Sequence, residues 1–296
     1  MSSRKSKEDD EMEHKLIITA DDYGMCESVN RAIDACIEAK VVLSTNVMTN
    51  MEYAYEAREL KRKFPYASVG LHYNFTVGKP ICKIDDVRSL VDEDGYFLSY
   101  KKIREKCKNH TYNFDEITRE MKAQYLRYVE ICGEPDYWNT HENVHVYPEI
   151  YQLFRDVSLE MGIHKMRSHQ RIFVPSSTGH SDKSITWTLT NPIKQIMLNS
   201  WQVGSMKKGV YSPNGLLVRM NEDDKLNLDY LFRNIKWKNN QVAEIAIHPS
   251  IDGNNKYFGE ITELRVKEYK CFSSSEVLQI ARNTNIEIVG FEVVGK

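Results

Sequence analysis

The sequence predicts an α/β fold with a mostly parallel sheet, and two patterns carry that prediction. Short apolar runs alternate with longer amphipathic segments over most of the 296 residues, the alternation that strand–helix–strand units produce. Polar residues of chemical interest then recur just after several different strands, as groups do on the C-terminal rim of a barrel. An open doubly wound sheet is compatible with the alternation alone; the rim feature favours the barrel. Neither a linker nor an internal repeat divides the chain, and barrel folds of this length are commonly undivided.

Residues 15–19 (KLIIT) are a buried strand, and residues 28–39 a helix with Val29, Ala32, Ile33, Cys36 and Ile37 on one face. Residues 44–48 form the second strand, 53–63 the second helix and 67–73 the third strand. A long polar connection over residues 78–110 contains an Asp94-Gly95 turn. Connections of this length are usually lids, binding loops or local hairpins. Residues 114–132 are strongly periodic and stop at Gly133 and Pro135, as a helix does. A short strand over 137–140 precedes a helix over 148–161 opened by proline, and 162–166 feed another strand. The stretch 168–220 has no legible pattern. Residues 223–234 are helical, 242–247 (VAEIAI) a buried strand, and a helical region with a strand over 286–294 closes the chain.

Composition is that of an ordinary globular protein, 41% hydrophobic and 28% charged. Forty basic residues against 42 acidic ones leave a formal charge of −2, which gives no electrostatic reason to expect nucleic acid or a membrane as partner. Small neutral molecules are the expected substrates. Residues 1–13 are polar throughout and are expected to be a disordered extension, with residues 14–296 as a single domain. They lack the apolar core of a signal peptide, and no segment is long enough to span a bilayer, so a cytoplasmic protein is expected. The six cysteines show no CxxC spacing. They are expected to be free thiols, several of them in the core.

Four clusters can carry chemistry. Ala20-Asp21-Asp22-Tyr23-Gly24 stands directly after the first strand. A lone Asp there would cap the next helix, but two adjacent carboxylates at a buried strand end are costly unless a cation holds them. A metal does so with one carboxylate as ligand and the other free for proton transfer. Gly70-Leu71-His72-Tyr73-Asn74-Phe75-Thr76 puts His72 at the end of the third strand, placed as a neutral imidazole ligand. In Thr140-His141-Glu142-Asn143-Val144-His145, the approach to Pro148 disfavours helix. An extended segment is expected, with His141, Asn143 and His145 on one side. His141, nearest the strand end, is the candidate ligand, and His145 supports the site or touches substrate. His248 follows the strand over 242–247; with an ordinary pKa near ~6.5 it can donate a proton at neutral pH. Arg167, beside Lys165-Met166, pairs with Asp21, holds substrate, or makes a surface salt bridge. His14, His110, His164, His169 and His180 lie in polar or unpatterned stretches and count as surface or loop residues.

In this order the clusters resemble the YdjC-like carbohydrate deacetylase family, which includes chitooligosaccharide deacetylases. The family's A-D-D-[FY]-G is matched by residues 20–24, and its G-L-H-x-N-[LF]-T by residues 70–76, continuing into Gly78-Lys79-Pro80. Its H-x-H-x-H-x-x-P-E aligns with residues 141–149, and its H-P-G is approached by His248-Pro249-Ser250. The likeness runs over about residues 15–290. It implies a single-domain deformed (β/α) barrel related to polysaccharide deacetylases. It also implies one divalent ion, magnesium or zinc, on Asp22, His72 and His141, with Asp21 as the base, and a homodimer. Two departures stand out: Asn143 replaces the central histidine, and Ser250 replaces the glycine. Asn143, His145, Asn74, Tyr23 and Arg167 are expected at the substrate or behind the ligands.

The expected activity is metal-dependent removal of the N-acetyl group from an acetylated amino sugar or short oligosaccharide. The ion would supply Lewis acidity, Asp21 would take a proton from water, and His248 as imidazolium would protonate the departing amine. Nitrogen and oxygen ligands suit zinc without excluding magnesium, manganese, cobalt or nickel. Tyr23, Tyr73, Trp138 and Tyr147 could stack on a sugar or pack in the core. Two alternatives stand beside this reading. One is another metal-assisted hydrolase such as a phosphoesterase, which usually brings several basic residues or a second metal. The other is a non-catalytic sugar-binding protein with a decayed site, against which the retention of both Asp21 and Asp22 argues.

Overall fold

The computed structural model describes residues 14–177, 192–219, 226–238 and 241–295. The expected N-terminal extension, His180 and parts of the 168–220 and 223–234 stretches lie outside the described residues. Among the described residues the strands are β1 (His14–Tyr23), β2 (Ser44–Val47), β3 (Ser68–Tyr73), β4 (Trp138–Thr140), β5 (Arg171–Val174), β6 (Gly215–Arg219), β7 (Val242–Ile247) and β8 (Ile286–Val289). The helices among the described residues begin with α1 (Glu27–Glu38), α2 (Ala57–Lys63), α3 (Tyr100–Asn109), α4 (Phe114–Cys132) and α5 (Pro148–Glu160). They continue with α6 (Pro192–Lys207), α7 (Leu228–Arg233), α8 (Thr262–Phe272) and α9 (Glu276–Asn283). None is long and apolar enough to cross a membrane.

All strand pairs are parallel, in the order β4-β3-β2-β1-β7-β6-β5, with β8 beside β1. The ten residues of β1 make this possible. Its first part pairs with β8 and its last part with β2, while β7 runs along Lys15 to Ala20. Two isolated parallel bridges, Trp138↔Met166 and Lys165↔Tyr211, carry the sheet from β4 round toward β6. The sheet therefore curls into the deformed barrel expected, rather than an open doubly wound sheet. Residues 162–166 contribute only these bridges, not the strand expected of them.

Parallel strands covered on both faces need apolar residues on both, which explains the unbroken runs in β1 and β7. Along β1, Leu16, Ile18 and Ala20 pack outward under the helices, while Ile17 joins Tyr137, Val289, Phe291 and Val294 inside. Above Ile17 the inward positions become polar, Thr19 and then Asp21, both buried. The barrel is thus plugged with hydrocarbon at one end and lined with polar groups at the other.

Differences from expectation have identifiable causes. Helix α3 lies inside the connection read as loop; Tyr100, Ile103 and Cys107 form a narrow apolar face on it among charged residues, and pack against the core. Of the lid, binding loop or local hairpin expected of this connection, part of it makes a hairpin, with Val91 bridging Phe97 across the Asp94-Gly95 turn. The backbone N–H groups of Ile81 and Cys82 donate to the buried Glu120 of α4, at 3.0 Å each, which pins the connection down. The final strand ends at Val289, and residues 291–293 form a 3₁₀ turn. Residues 54–56 likewise open the second helix as a 3₁₀ turn. Residues 141–143 also form a 3₁₀ turn, so the extended segment expected there is replaced by a tight reversal.

Gly70 in β3 faces the Tyr137 ring, and a Cβ there would lie 2.6 Å from its Cζ. That ring cannot easily retreat: it stacks on Phe291 at 3.7 Å, and its hydroxyl bonds Ser44 and the Thr45 carbonyl, both at 2.9 Å. Gly70→Ala is therefore expected to lower unfolding free energy by about 1–3 kcal/mol, read from urea denaturation. An unchanged midpoint would mean the ring yields.

Candidate metal centre

In a regular strand Asp21 and Asp22 would point to opposite faces. The register of β1 against β2 slips between Ala20 and Tyr23, and Asp22 has φ +77°. This bulge inserts one residue, and aspartate tolerates the left-handed backbone better than most side chains. Both carboxylates consequently end buried at the polar end of the barrel, at 2% and 0% exposure. Gly24 (φ +98°) then turns the chain away; a Cβ there would meet Ala54 Cα at 2.9 Å.

Asp22, His72 and His141 converge, their candidate ligand atoms lying within 4.8 Å of one another. Asp22 Oδ1 is 2.9 Å from His141 Nδ1 and 3.2 Å from His72 Nε2. Its Oδ2 accepts from Arg265 Nη2 at 2.6 Å. Burial disfavours the charge on Asp22, but His141 and Arg265 outweigh it and hold the carboxyl well below the usual range. Burial likewise opposes charge on His141, and Asp22 overrides it to raise that imidazole. One buried carboxylate and two imidazoles facing a common point fit a divalent ion of the zinc class.

The Asn139 amide lies 2.6 Å from His72 Nδ1, and its two orientations do different things. With nitrogen toward the ring, its oxygen accepts from Arg167 at 3.1 and 3.2 Å and from Asn46 at 3.0 Å. With oxygen toward the ring, His72 carries its proton on Nδ1 and turns the Nε2 lone pair to Asp22. That second form is the one a metal ligand needs.

Asp21 is held apart from this set by Arg167. The guanidinium grips it with two bonds, Nη1 to Oδ2 at 2.6 Å and Nη2 to Oδ1 at 2.8 Å, while Nε donates to Glu244 at 2.9 Å. Asn46 adds a 2.5 Å bond to Asp21 Oδ1. Burial opposes the Asp21 charge, yet Arg167 outweighs it and keeps the carboxyl far below the usual range. His248 Nε2 lies 3.7 Å from Asp21 Oδ2, and its side chain is 31% exposed, the most open of the group. Burial pushes its imidazole below the ordinary value, against the pull of Asp22 and Asp21.

Other expected residues sit elsewhere. Tyr23 shares a hydrogen bond with Asp34 of α1 and so faces away from the carboxylates. Asn74 folds its own loop, accepting from the N–H groups of Thr76 and Val77 and donating to Val77 and Asn50. Tyr73 and Trp138 are core, fully buried against Phe154. His145 is bonded to Thr140 Oγ1 at 2.6 Å and, through Nε2, to His169 Nε2 at 2.5 Å. It therefore braces the His141 turn, and His169, in a loop as expected, is a buried partner and not a surface residue. The extended segment would have put His141, Asn143 and His145 on one side; the left-handed Glu142 and Asn143 (both φ +53°) separate them. Ser250 has no left-handed backbone, so the family's glycine is not required there.

Four residues of this network escaped the sequence reading: Asn46, Asn139, Glu244 and Arg265. Three of them are polar residues within or at the end of fully buried strand runs, a signal available in principle. Arg265 lies on a helix rich in charges and carried none. Replacing Arg167 with methionine strands Asp21 and Glu244 without their cation, and Arg167→Met is expected to cost about 3–5 kcal/mol. Chemical denaturation checks this; a loss below about 1 kcal/mol, the range of an exposed pair, would mean that solvent reaches the pair.

Among curated proteins the chain is 33% identical to a carbohydrate deacetylase of Xenopus laevis over 52% of this chain and 50% of that one. It is 33% identical to a chitooligosaccharide deacetylase of Salmonella enteritidis over 51% of this chain and 58% of that one. These matches span little more than half the length of those relatives. A carbohydrate deacetylase of Clostridium beijerinckii is 26% identical over 94% of this chain and 99% of that one. The fold recurs in the crystal structure of a proposed cellobiose-phosphate cleavage protein from Enterococcus faecalis. There the TM-score is 0.71 at 23% identity, covering 95% of this chain and 98% of that one. The model of the YdjC-like protein family matches residues 15–283, and the chain belongs to that family.

Proposed function

We propose that this protein is a metal-dependent hydrolase that removes the N-acetyl group from an acetylated amino sugar or short oligosaccharide. One observation carries the reading. An ionised carboxylate, Asp21, and a partly open imidazole, His248, stand 3.7 Å apart beside the buried Asp22–His72–His141 set. Amide hydrolysis needs that combination: a group to take a proton from water and a group to give one to nitrogen. The names of the relatives, carbohydrate and chitooligosaccharide deacetylase, supply the substrate class.

Asp22, His72 and His141 are the residues that would hold a divalent ion. When bound, it supplies Lewis acidity toward an amide carbonyl and makes water more acidic. Asp21, fixed by Arg167 and Asn46, takes the proton of the water that adds to the carbonyl carbon. His248, neutral at rest because burial depresses its pKa, receives that proton across the short gap. It then delivers the proton to the nitrogen as the C–N bond breaks. One water is consumed, its hydroxyl ending on the acetyl carbon and its other hydrogen on the amine, so the balance closes without a further reactant.

The test is acetate release from N-acetylglucosamine and N,N′-diacetylchitobiose by metal-stripped protein, with and without zinc, magnesium or cobalt. Metal-restored release from either sugar is expected. Confirmed metal binding without acetate from any acetylated sugar would overturn the substrate class. Asp21→Asn is expected to bind metal as wild type does while losing about 10²–10⁴-fold in turnover. Full activity in that variant would remove Asp21 from the mechanism.

A further inference from the structure

Arg265 belongs to none of the sequence motifs, yet it is 1% exposed and its Nη2 donates to Asp22 Oδ2 at 2.6 Å. It comes from the first turn of α8, with its Cζ 4.7 Å from the centre of the Phe258 ring. Its Nε and Nη1 have no hydrogen-bond partner among the described residues. Burying a guanidinium with two nitrogens unsatisfied lowers stability, so a purely structural role explains it poorly. Among the described residues its side-chain hydrogen bonding goes to one atom, the outer oxygen of the carboxylate that faces His72 and His141, while its backbone carbonyl accepts from the Ser250 N–H. Only Oδ1 is left turned toward the two imidazoles.

We propose that Arg265 is a positioning residue that restricts Asp22 to one-oxygen ligation and so sets which divalent ion the centre prefers. The proposal rests on the reading of Asp22, His72 and His141 as metal ligands. One carboxylate oxygen beside two imidazoles is a compact, nitrogen-rich donor set, suited to zinc, cobalt or nickel. A carboxylate free to offer both oxygens favours ions that take more oxygen ligands, such as manganese. Removing the arginine charge strengthens the attraction of every divalent ion alike. Absolute affinity is therefore not diagnostic, and the ratio between two metals is.

The experiment measures dissociation constants of Zn²⁺ and Mn²⁺ for the metal-stripped full chain by competition with a chromophoric chelator. Wild type, Arg265→Met and Arg265→Gln are compared, with thermal unfolding of each metal-free protein recorded alongside. Wild type is expected to prefer zinc, and the preference to fall by about tenfold or more in Arg265→Met. Arg265→Gln, whose amide can still donate to Oδ2, is expected to fall by about threefold or more, and it decides the matter if the methionine variant does not fold. A Zn²⁺/Mn²⁺ ratio within about twofold of wild type in every variant that folds would overturn the proposal and leave Arg265 a structural ion pair. Wild type that binds neither ion would instead overturn the metal-centre reading itself.

Discussion

Two carboxylates from neighbouring residues, both buried at the end of the central strand, set the terms for the rest of this molecule. Charge of that density cannot leave water unless cations meet it. Arg167 comes from the chain segment that joins β4 to β5, and Arg265 from a helix more than two hundred residues along. With His72 and His141 they surround Asp21 and Asp22 from several directions. The polar end of the barrel is therefore held by bonds between distant segments.

That arrangement is strained locally and supported from beneath. Asp22, Glu142 and Asn143 all adopt positive φ, each where the chain must reverse to aim a ligand or its neighbour. Such positions persist only where surrounding structure determines them. Under the His141 turn, His145 and His169 share one short contact in a nest of Trp138, Tyr151 and Phe154. Burial pushes the His145 imidazole down to about 3, so the pair stays neutral and passes one hydrogen bond on to Thr140. The residue at the departure from the family histidine pattern is an asparagine, which suits the left-handed backbone it occupies.

Much of the fold was legible because parallel strands buried on both faces write themselves as apolar runs, and β1, β3 and β7 fall where those runs do. Helix α4 was legible to the residue, since its periodic face starts at Phe114 and Gly133 ends it; the Asn113 cap that the structure adds fits the same start. What was hidden depended on contacts rather than pattern. Helix α3 packs on the core through the narrow face of Tyr100, Ile103 and Cys107, three residues in a run of charges. The bulge that turns both aspartates inward has no composition, and alternation alone would have separated them. His145 was placed by assuming an extended chain, an assumption that two left-handed residues defeat. His169 sat in a stretch without pattern, and its burial comes from contacts with His145 and Tyr151 that no local pattern announces.

The two arginines also divide the labour between the two carboxylates, and the difference is geometric. Arg167 forks onto both oxygens of Asp21, which fixes its plane and keeps it ionised, at the expense of basicity. A carboxylate held that low grips a proton weakly. In the proposed base role it serves only if the proton moves on at once, and among the described residues His248 is the partly open imidazole beside it. In the proposed mechanism the lowered pKa of Asp21 and that of His248 are two halves of one condition: neither would hold the proton, so it would pass between them. Arg265 instead takes a single oxygen of Asp22 and leaves the other exposed to the imidazoles. One carboxylate is tuned to stay charged and the other to stay directional, and the same bulge in β1 supplies both.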